Sequence, residues 1–192
     1  MGEGWQLFKI IGIPLRIQPT WLFAVAIFTT LFQPRYAASV EPAALSWGLA
    51  LLTTLLLFTS VLLHELGHAL MALREGVKVV SITLFHLGGI ARVEKECPTA
   101  MGNLRIAAAG PLVSLTLALG MLLAAASLAT QQPQLTVLLT QVGLLNLMLG
   151  LFNVREPTDF EGWRGESVAH RGCRVLSLGS WITVVAATHT SE

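Results

Sequence analysis

Two long stretches of this chain carry no charged side chain, and they constrain its fold more than any other feature. They are residues 42–63 and 106–153. A helix that crosses the hydrocarbon core of a bilayer needs about 20 predominantly apolar residues, so each stretch is long enough to span a membrane. The composition agrees, since 54% of the residues are hydrophobic and only 12% are charged, against about 25% in soluble domains. The sequence therefore predicts a multi-pass integral membrane protein.

The uncharged stretches and their flanks predict about four transmembrane helices. The longer stretch is too long for one crossing, and the polar segment at 130–134 divides it into two. A shorter apolar run between Arg16 and Arg35 is just long enough for one further span. The predicted spans are residues 17–34, 43–73, 106–129 and 135–153.

The distribution of Lys and Arg predicts the orientation. All of the 12 Lys and Arg residues except Arg35 fall on one side of a four-span arrangement. Cytoplasmic segments of membrane proteins carry an excess of these residues. We therefore expect both termini in the cytoplasm and the chain in the cell membrane, either plasma or inner. The formal net charge of +1 gives no indication of a nucleic-acid partner.

Segments outside the spans have the composition of short strands. Residues 8–17 and 77–85 are rich in β-branched side chains, and residues 90–93 would return as a partner strand after a turn at Gly88 and Gly89. The predicted fold class is thus an all-α polytopic membrane protein with a small β-hairpin or re-entrant element.

The motif His64-Glu65-Leu66-Gly67-His68 follows the first uncharged stretch, where a membrane helix should still be running. Burying ionisable side chains at that depth costs free energy, so such residues usually have a function. The alternative is that His64 and His68 are structural core residues whose hydrogen bonds are satisfied. Residues four apart share a helix face, so His64 and His68 can present their imidazoles to one metal ion. This pattern is typical of catalytic zinc, which has three protein ligands and an open position. Glu65 then suits a general base that takes a proton from water, and Gly67 would leave room for a substrate backbone.

Several motifs in order along the chain resemble the site-2 protease family of intramembrane metalloproteases. Residues 63–71 (LHELGHALM) resemble its first motif, and residues 85–91 (FHLGGIA) resemble its Gly-Gly loop. Residues 107–114 (AAAGPLVS) match the helix start that follows, and residues 11–17 (IGIPLRI) fit the prokaryotic branch. The likeness covers roughly residues 5–153.

The resemblance implies a zinc-dependent endopeptidase, with one Zn²⁺ per chain, that acts in the lipid bilayer. Its substrate would be a membrane-anchored protein such as an anti-sigma factor or a transcription factor precursor, cut during regulated intramembrane proteolysis. By position it implies His64 and His68 as zinc ligands, Glu65 as the catalytic base and Asn153 as a substrate-binding residue. On our own hypothesis, the substrate would be held extended as an added strand beside residues 77–84.

The sequence departs from the family in the second motif. There the family continues from the asparagine to Leu-Asp-Gly-Gly, whose aspartate is the third zinc ligand, and no Leu-Asp-Gly-Gly occurs in this chain. Counting from Asn153 places Glu161 at that position, whereas Asp159, two residues earlier, is the closer chemical substitute. Either carboxylate can bind zinc, so both alternatives stay open.

Charge and glycine content rise abruptly after residue 153. We therefore divide the chain into a metalloprotease core at 1–153 and a divergent cytoplasmic tail at 154–192 that is truncated or foreign to the fold. The first alternative function is a catalytically impaired relative that binds transmembrane segments without cleaving them. A metal transporter that uses the histidines as a relay site is the second.

Overall fold

The computed structural model describes residues 5–37, 41–85, 88–94 and 97–153, together with a strand at 175–177. Its helices are α1 Thr20–Ala37, α2 Ala43–Arg74, α3 Ala100–Leu128 and α4 Pro133–Asn153. Its strands are β1 Trp5–Ile10, β2 Ile13–Ile17, β3 Val79–Phe85, β4 Gly88–Val93 and β5 Val175–Ser177.

Three helices within the described ranges, α2, α3 and α4, are long and apolar enough to cross a membrane. Helix α1 has only 18 residues, and its last turns contain Gln33, Pro34 and Arg35, so it does not reach the same apolar length. Three of the four predicted spans are therefore supported by their length and composition. The predicted division at 130–134 is confirmed, because α3 ends at Leu128 and α4 begins at Pro133. Proline suits the first turn of a helix because its missing N–H would have no partner there.

Helix α2 packs against each of the other three helices. Side-chain hydrogen bonds join it to α1 between Thr29 and Thr54 at 3.2 Å and between Tyr36 and Thr53 at 2.5 Å. Such bonds between membrane helices contribute on the order of 0.6 kcal/mol each. They hold α1 against the first half of α2.

Helix α4 is tied to α2 through a buried amide. The Asn146 Nδ2 atom donates to the Ser60 hydroxyl and to the Val142 carbonyl, both at 2.9 Å. Ser60 lies one helical turn before His64, so this contact fixes α4 beside the part of α2 that leads into the motif.

The strands form one sheet in the order β1-β2-β3-β4-β5. Strands β2 and β3 are parallel, and the other neighbouring pairs are antiparallel. Because β3 has a partner on both sides, a substrate cannot add beside residues 77–84, and that hypothesis is wrong. The β3–β4 hairpin is confirmed, but Gly88 and Gly89 lie within β4 rather than in a turn.

The sheet packs on the second half of α2. Small and apolar side chains of the helix, among them Val61, Ala69 and Ala72, contact buried strand residues, with Ile106 of α3 closing the cluster. The strand residues are Ile13, Leu15, Val79, Ile82, Leu84, Ala91 and Val93. An all-α class with a small β element thus understates the fold, since the sheet makes a core of its own with α2.

Candidate metal centre

The motif histidines lie together in the last third of α2, inside the bundle. His64 is 0% exposed, and His68 is half-buried. The two Nε2 atoms lie 3.2 Å apart, and the ring planes cross at 74°. The two Nε2 atoms are thus close enough to bind the same metal ion, as expected for residues one helical turn apart on one helix face.

Helix α3 holds the other nitrogen of each ring. The Nδ1 atom of His64 lies 2.8 Å from the Ser114 hydroxyl oxygen, and the Nδ1 atom of His68 lies 2.7 Å from the Ile106 carbonyl oxygen. A carbonyl can only accept, so Nδ1 of a neutral His68 carries the proton and its Nε2 presents a lone pair. The Ser114 hydroxyl can accept from His64 Nδ1 in the same way, which leaves both Nε2 atoms available as ligands.

This arrangement fits two ligands of a zinc ion. Tetrahedral zinc with Zn–N bonds of about 2.0–2.1 Å places two ligand nitrogens roughly 3.3–3.4 Å apart, close to the separation found here. Metal-binding histidines usually donate their second ring N–H to an oxygen, as the α3 contacts allow. Among the described residues, no group of three or more His, Cys, Asp or Glu side chains forms a metal cluster. Asp159 and Glu161, the two alternatives for a third ligand, lie outside those residues.

The sheet holds the side chain of Glu65, the next residue of the motif. It is 1% exposed, and its Oε2 atom accepts from the backbone N–H of Ala91 in β4 at 3.1 Å. A Cβ atom on Gly89 would lie 2.7 Å from Glu65 Cγ, so only glycine lets β4 approach α2 this closely. Glycine within a strand often marks a site where another element approaches the backbone closely. The sequence contains this signal, but our prediction places Gly88 and Gly89 in a turn.

Two further glycines bring α3 against the motif. A Cβ atom on Gly110 would fall on the His68 ring. A Cβ atom on Gly67 would lie 3.0 Å from both the Ala109 carbonyl oxygen and Val113 Cγ2. Gly67 therefore faces α3, and the expectation that it leaves room for a substrate backbone is wrong.

Asn153 lies at the last position of α4 and is half-buried. Its Nδ2 atom donates to the Leu149 carbonyl of its own helix at 2.7 Å. Leu149 packs against the core cluster between the sheet and α2, so the end of α4 is placed on the motif side of the bundle.

A model of Peptidase family M50 matches residues 52–154. This range includes the motif, the β3–β4 hairpin, α3 and α4. It covers more than half of the chain.

Individual proteins show the same likeness. A protein of Synechocystis sp. is 37% identical over 163 residues, which cover 84% of this chain and 43% of that protein. A zinc metalloprotease of Methanocaldococcus jannaschii is 36% identical over 159 residues, covering 83% of this chain and 43% of the relative. A solved structure of the site-2 protease from the same organism has a TM-score of 0.56 and 34% identity, with 79% of this chain and 64% of that chain covered. The chain thus spans less than half the length of the first two relatives.

We expect Gly110→Ala to weaken zinc binding at least tenfold, because the new methyl group must displace the His68 ring from its position beside His64. Gly120→Ala on the same helix is the matched control, since nothing lies within 4 Å of a Cβ atom there. Competition with a chelating dye measures the zinc affinity of both variants in detergent. Equal affinities would show that His68 does not need the space at Gly110.

Proposed function

Because the chain belongs to Peptidase family M50, the site-2 protease family, we propose that it is a zinc-dependent endopeptidase that cuts membrane-anchored proteins within the bilayer. The observation that carries the proposal is the pair of imidazoles in α2, whose Nε2 atoms lie 3.2 Å apart inside an apolar bundle. A carboxylate follows directly in the motif and is bound to the neighbouring sheet. Ionisable groups are rarely kept at that depth without a function.

We propose that His64 and His68 hold one zinc ion through Nε2, with Asp159 or Glu161 as the third protein ligand. Zinc in such a site supplies a Lewis acid for the scissile carbonyl and lowers the pKa of water toward 7. Ser114 and the Ile106 carbonyl keep the two rings in the orientation and tautomer that ligation requires.

Glu65 is the proposed general base. The Ala91 amide binds its Oε2 atom and so fixes the carboxylate against β4. The carboxylate would take a proton from the attacking water and pass it to the leaving amine. Because the side chain is almost fully buried, bulk water is kept away from it.

We propose that the substrate lies extended along the outer edge of β4. A helical peptide bond is poorly accessible because its carbonyl is hydrogen-bonded, so the substrate must unwind locally. Strand β5 pairs with β4 on the side away from β3, with Ala91 opposite Leu176. In this structure β5 occupies the outer edge of β4, so the substrate would bind there by replacing β5 as the antiparallel partner. Strand β4 also carries the amide that binds Glu65.

In this proposal α1 forms a fourth span, both termini are cytoplasmic, and the protein lies in the cell membrane. Residues 1–153 are the protease core, and the family match ending at residue 154 supports that boundary. The substrates are anti-sigma factors or transcription factor precursors with one membrane anchor.

Asn153 would bind the substrate near the end of α4. An increase in KM without loss of zinc in Asn153→Ala would support that role.

A non-cleaving membrane-segment binder is the second candidate. It is favoured by one observation, the absence of Leu-Asp-Gly-Gly from the sequence. Both candidates require the helical bundle and the sheet, but only the protease requires Glu65 as a base.

We expect the purified chain, reconstituted in vesicles, to cut a single-span model substrate, and Glu65→Gln to lower the rate by about 10²–10⁴. Mass spectrometry of the products measures the rate and the cleaved bond. Glu94→Gln is the matched control, because Glu94 is exposed and pairs only at the surface with Lys78. Zinc content should be the same in all three proteins. Absence of cleavage by a zinc-loaded parent would favour the binder.

We expect about one zinc per purified chain, lost in either Asp159→Ala or Glu161→Ala, because a catalytic zinc site has three protein ligands. Glu166→Ala, a carboxylate of the same segment, is the control and should retain the metal. Atomic emission spectroscopy gives the ratio of zinc to protein. Retention of zinc by both variants would place the third ligand elsewhere, and a zinc-free parent would show that the tail does not complete the site.

For the substrate edge, we expect a single cysteine in an unwound substrate to form a disulfide with Arg92→Cys in the Glu65→Gln background. Arg92 is an exposed residue of β4 and pairs with Val175 of β5. Lys9→Cys on β1, at the opposite edge of the sheet, is the control. Gel-shift analysis detects the cross-linked product. A disulfide formed with the cysteine on β1, and not with the cysteine on β4, would refute this proposal.

A further inference from the structure

The hairpin formed by β1 and β2 carries four large apolar side chains in exposed positions. Trp5 is 62% exposed, Leu7 53%, Phe8 52% and Ile11 67%. Single exposed apolar residues are ordinary, but four on one short hairpin form a patch of the kind that marks a contact surface.

The strand register shows which way this patch faces. In β1, Trp5 lies opposite Ile17 and Phe8 lies opposite Leu15, and directly opposed residues share one face of a sheet. Leu15 is 2% exposed and packs in the core against α2. Trp5 and Phe8 are therefore on the helix-facing side of the sheet, but they are exposed, and β1 is the edge strand.

The other face of the hairpin carries the polar residues, and Leu7 lies at the bulge between Gln6 and Phe8. Gln6 lies opposite Arg16, and Lys9 lies opposite Pro14. Residues 5–17 contain these two cations and no Asp or Glu. The hairpin is thus an amphipathic, positively charged ribbon, and its charge is complementary to anionic lipid headgroups.

The tip of the hairpin is a second, independent observation. Ile11 has φ of 51° and is followed by Gly12 with φ of 81°. Turns of this kind favour Asn-Gly, and a β-branched residue with positive φ is strained. Exposing the Ile11 side chain to water gives no free energy that offsets the backbone strain. Burying it in an apolar environment would offset that strain.

The position of the hairpin in the chain brings it to the membrane. Strand β2 ends at Ile17 and α1 begins at Thr20. The first turn of α1 adds Leu22 at 57% and Phe23 at 72% exposure. Tryptophan and basic residues are typical of the region where a bilayer meets water.

We propose that this hairpin lies in the headgroup region of the bilayer that the helices cross, with Trp5, Phe8 and Ile11 directed into the lipid. The occupant of the apolar patch is therefore lipid, and the proposal requires an integral membrane protein but no proteolysis. Strand β2 pairs with β3, and β3 pairs with β4, which binds Glu65. A hairpin anchored in the headgroup region would therefore hold β4 and Glu65 at a constant depth in the membrane.

Spin labels at single cysteines test this directly in vesicles of phosphatidylcholine and phosphatidylglycerol. The background is Cys173→Ser, in which buried Cys97 should take up no label. Labels at Phe8→Cys and Ile11→Cys probe the patch, and a label at Gln6→Cys probes the polar face. Two references calibrate the measurement: Leu123→Cys, an exposed apolar position of α3, for lipid, and Lys78→Cys for water.

Collision with oxygen and with a water-soluble nickel chelate distinguishes the environments, because oxygen concentrates in lipid and the chelate does not enter it. We expect high oxygen and low nickel accessibility at positions 8 and 11, as at position 123, and the reverse at position 6. High nickel accessibility at positions 8 and 11 would overturn the proposal in favour of water. Protection from both reagents would overturn it in favour of a polypeptide partner, either another part of a longer chain or a second copy. An inactive or zinc-free chain gives the same readout, so this result and that of the cleavage assay are independent.

Discussion

The structure depends on one requirement: the polar groups of the motif must find partners inside an apolar bundle. These groups are satisfied by two neighbours of α2. Ser114 and the Ile106 carbonyl of α3 bind the two imidazoles, and the Ala91 amide of β4 binds the carboxylate of Glu65. An unpartnered polar group at this depth costs several kcal/mol, so α3 and β4 are fixed in position by the residues that they support. The site and the packing of the bundle therefore specify each other.

Glycine residues, which have no side chain, allow β4 and α3 to contact α2 closely at this site. Gly89 lets a strand lie on Glu65, and Gly110 lets a helix lie on the His68 ring. In a membrane, helices gain little from the hydrophobic effect when they associate, so close backbone approach and van der Waals packing carry more of the stabilisation. The same glycines serve stability and the geometry of the site. A methyl group at either position would separate the elements that hold the reactive groups.

The helices and most strands could be predicted from the sequence, because the length of an apolar run and a cluster of β-branched residues are local properties. The pairing of His64 with His68 also follows from local spacing in a helix. The partnership of His64 with Ser114 could not be predicted, since it joins residues 50 positions apart and depends on how α3 packs. For the same reason the internal position of β3 was missed. It follows from the parallel pairing with β2, which precedes two helices.

The length of α2 determines how deep in the membrane the motif lies. At 1.5 Å per residue its 32 residues extend about 48 Å, well beyond a hydrocarbon core of roughly 30 Å. His64 lies roughly 32 Å along the axis from Ala43, so a helix that starts at one membrane surface brings the motif near the opposite edge of the hydrocarbon. The sheet packs on this same part of α2. The motif thus lies near the edge of the hydrocarbon, where water becomes available. In the proposed function, a substrate helix leaving the bilayer would exchange its own hydrogen bonds there for those of a strand.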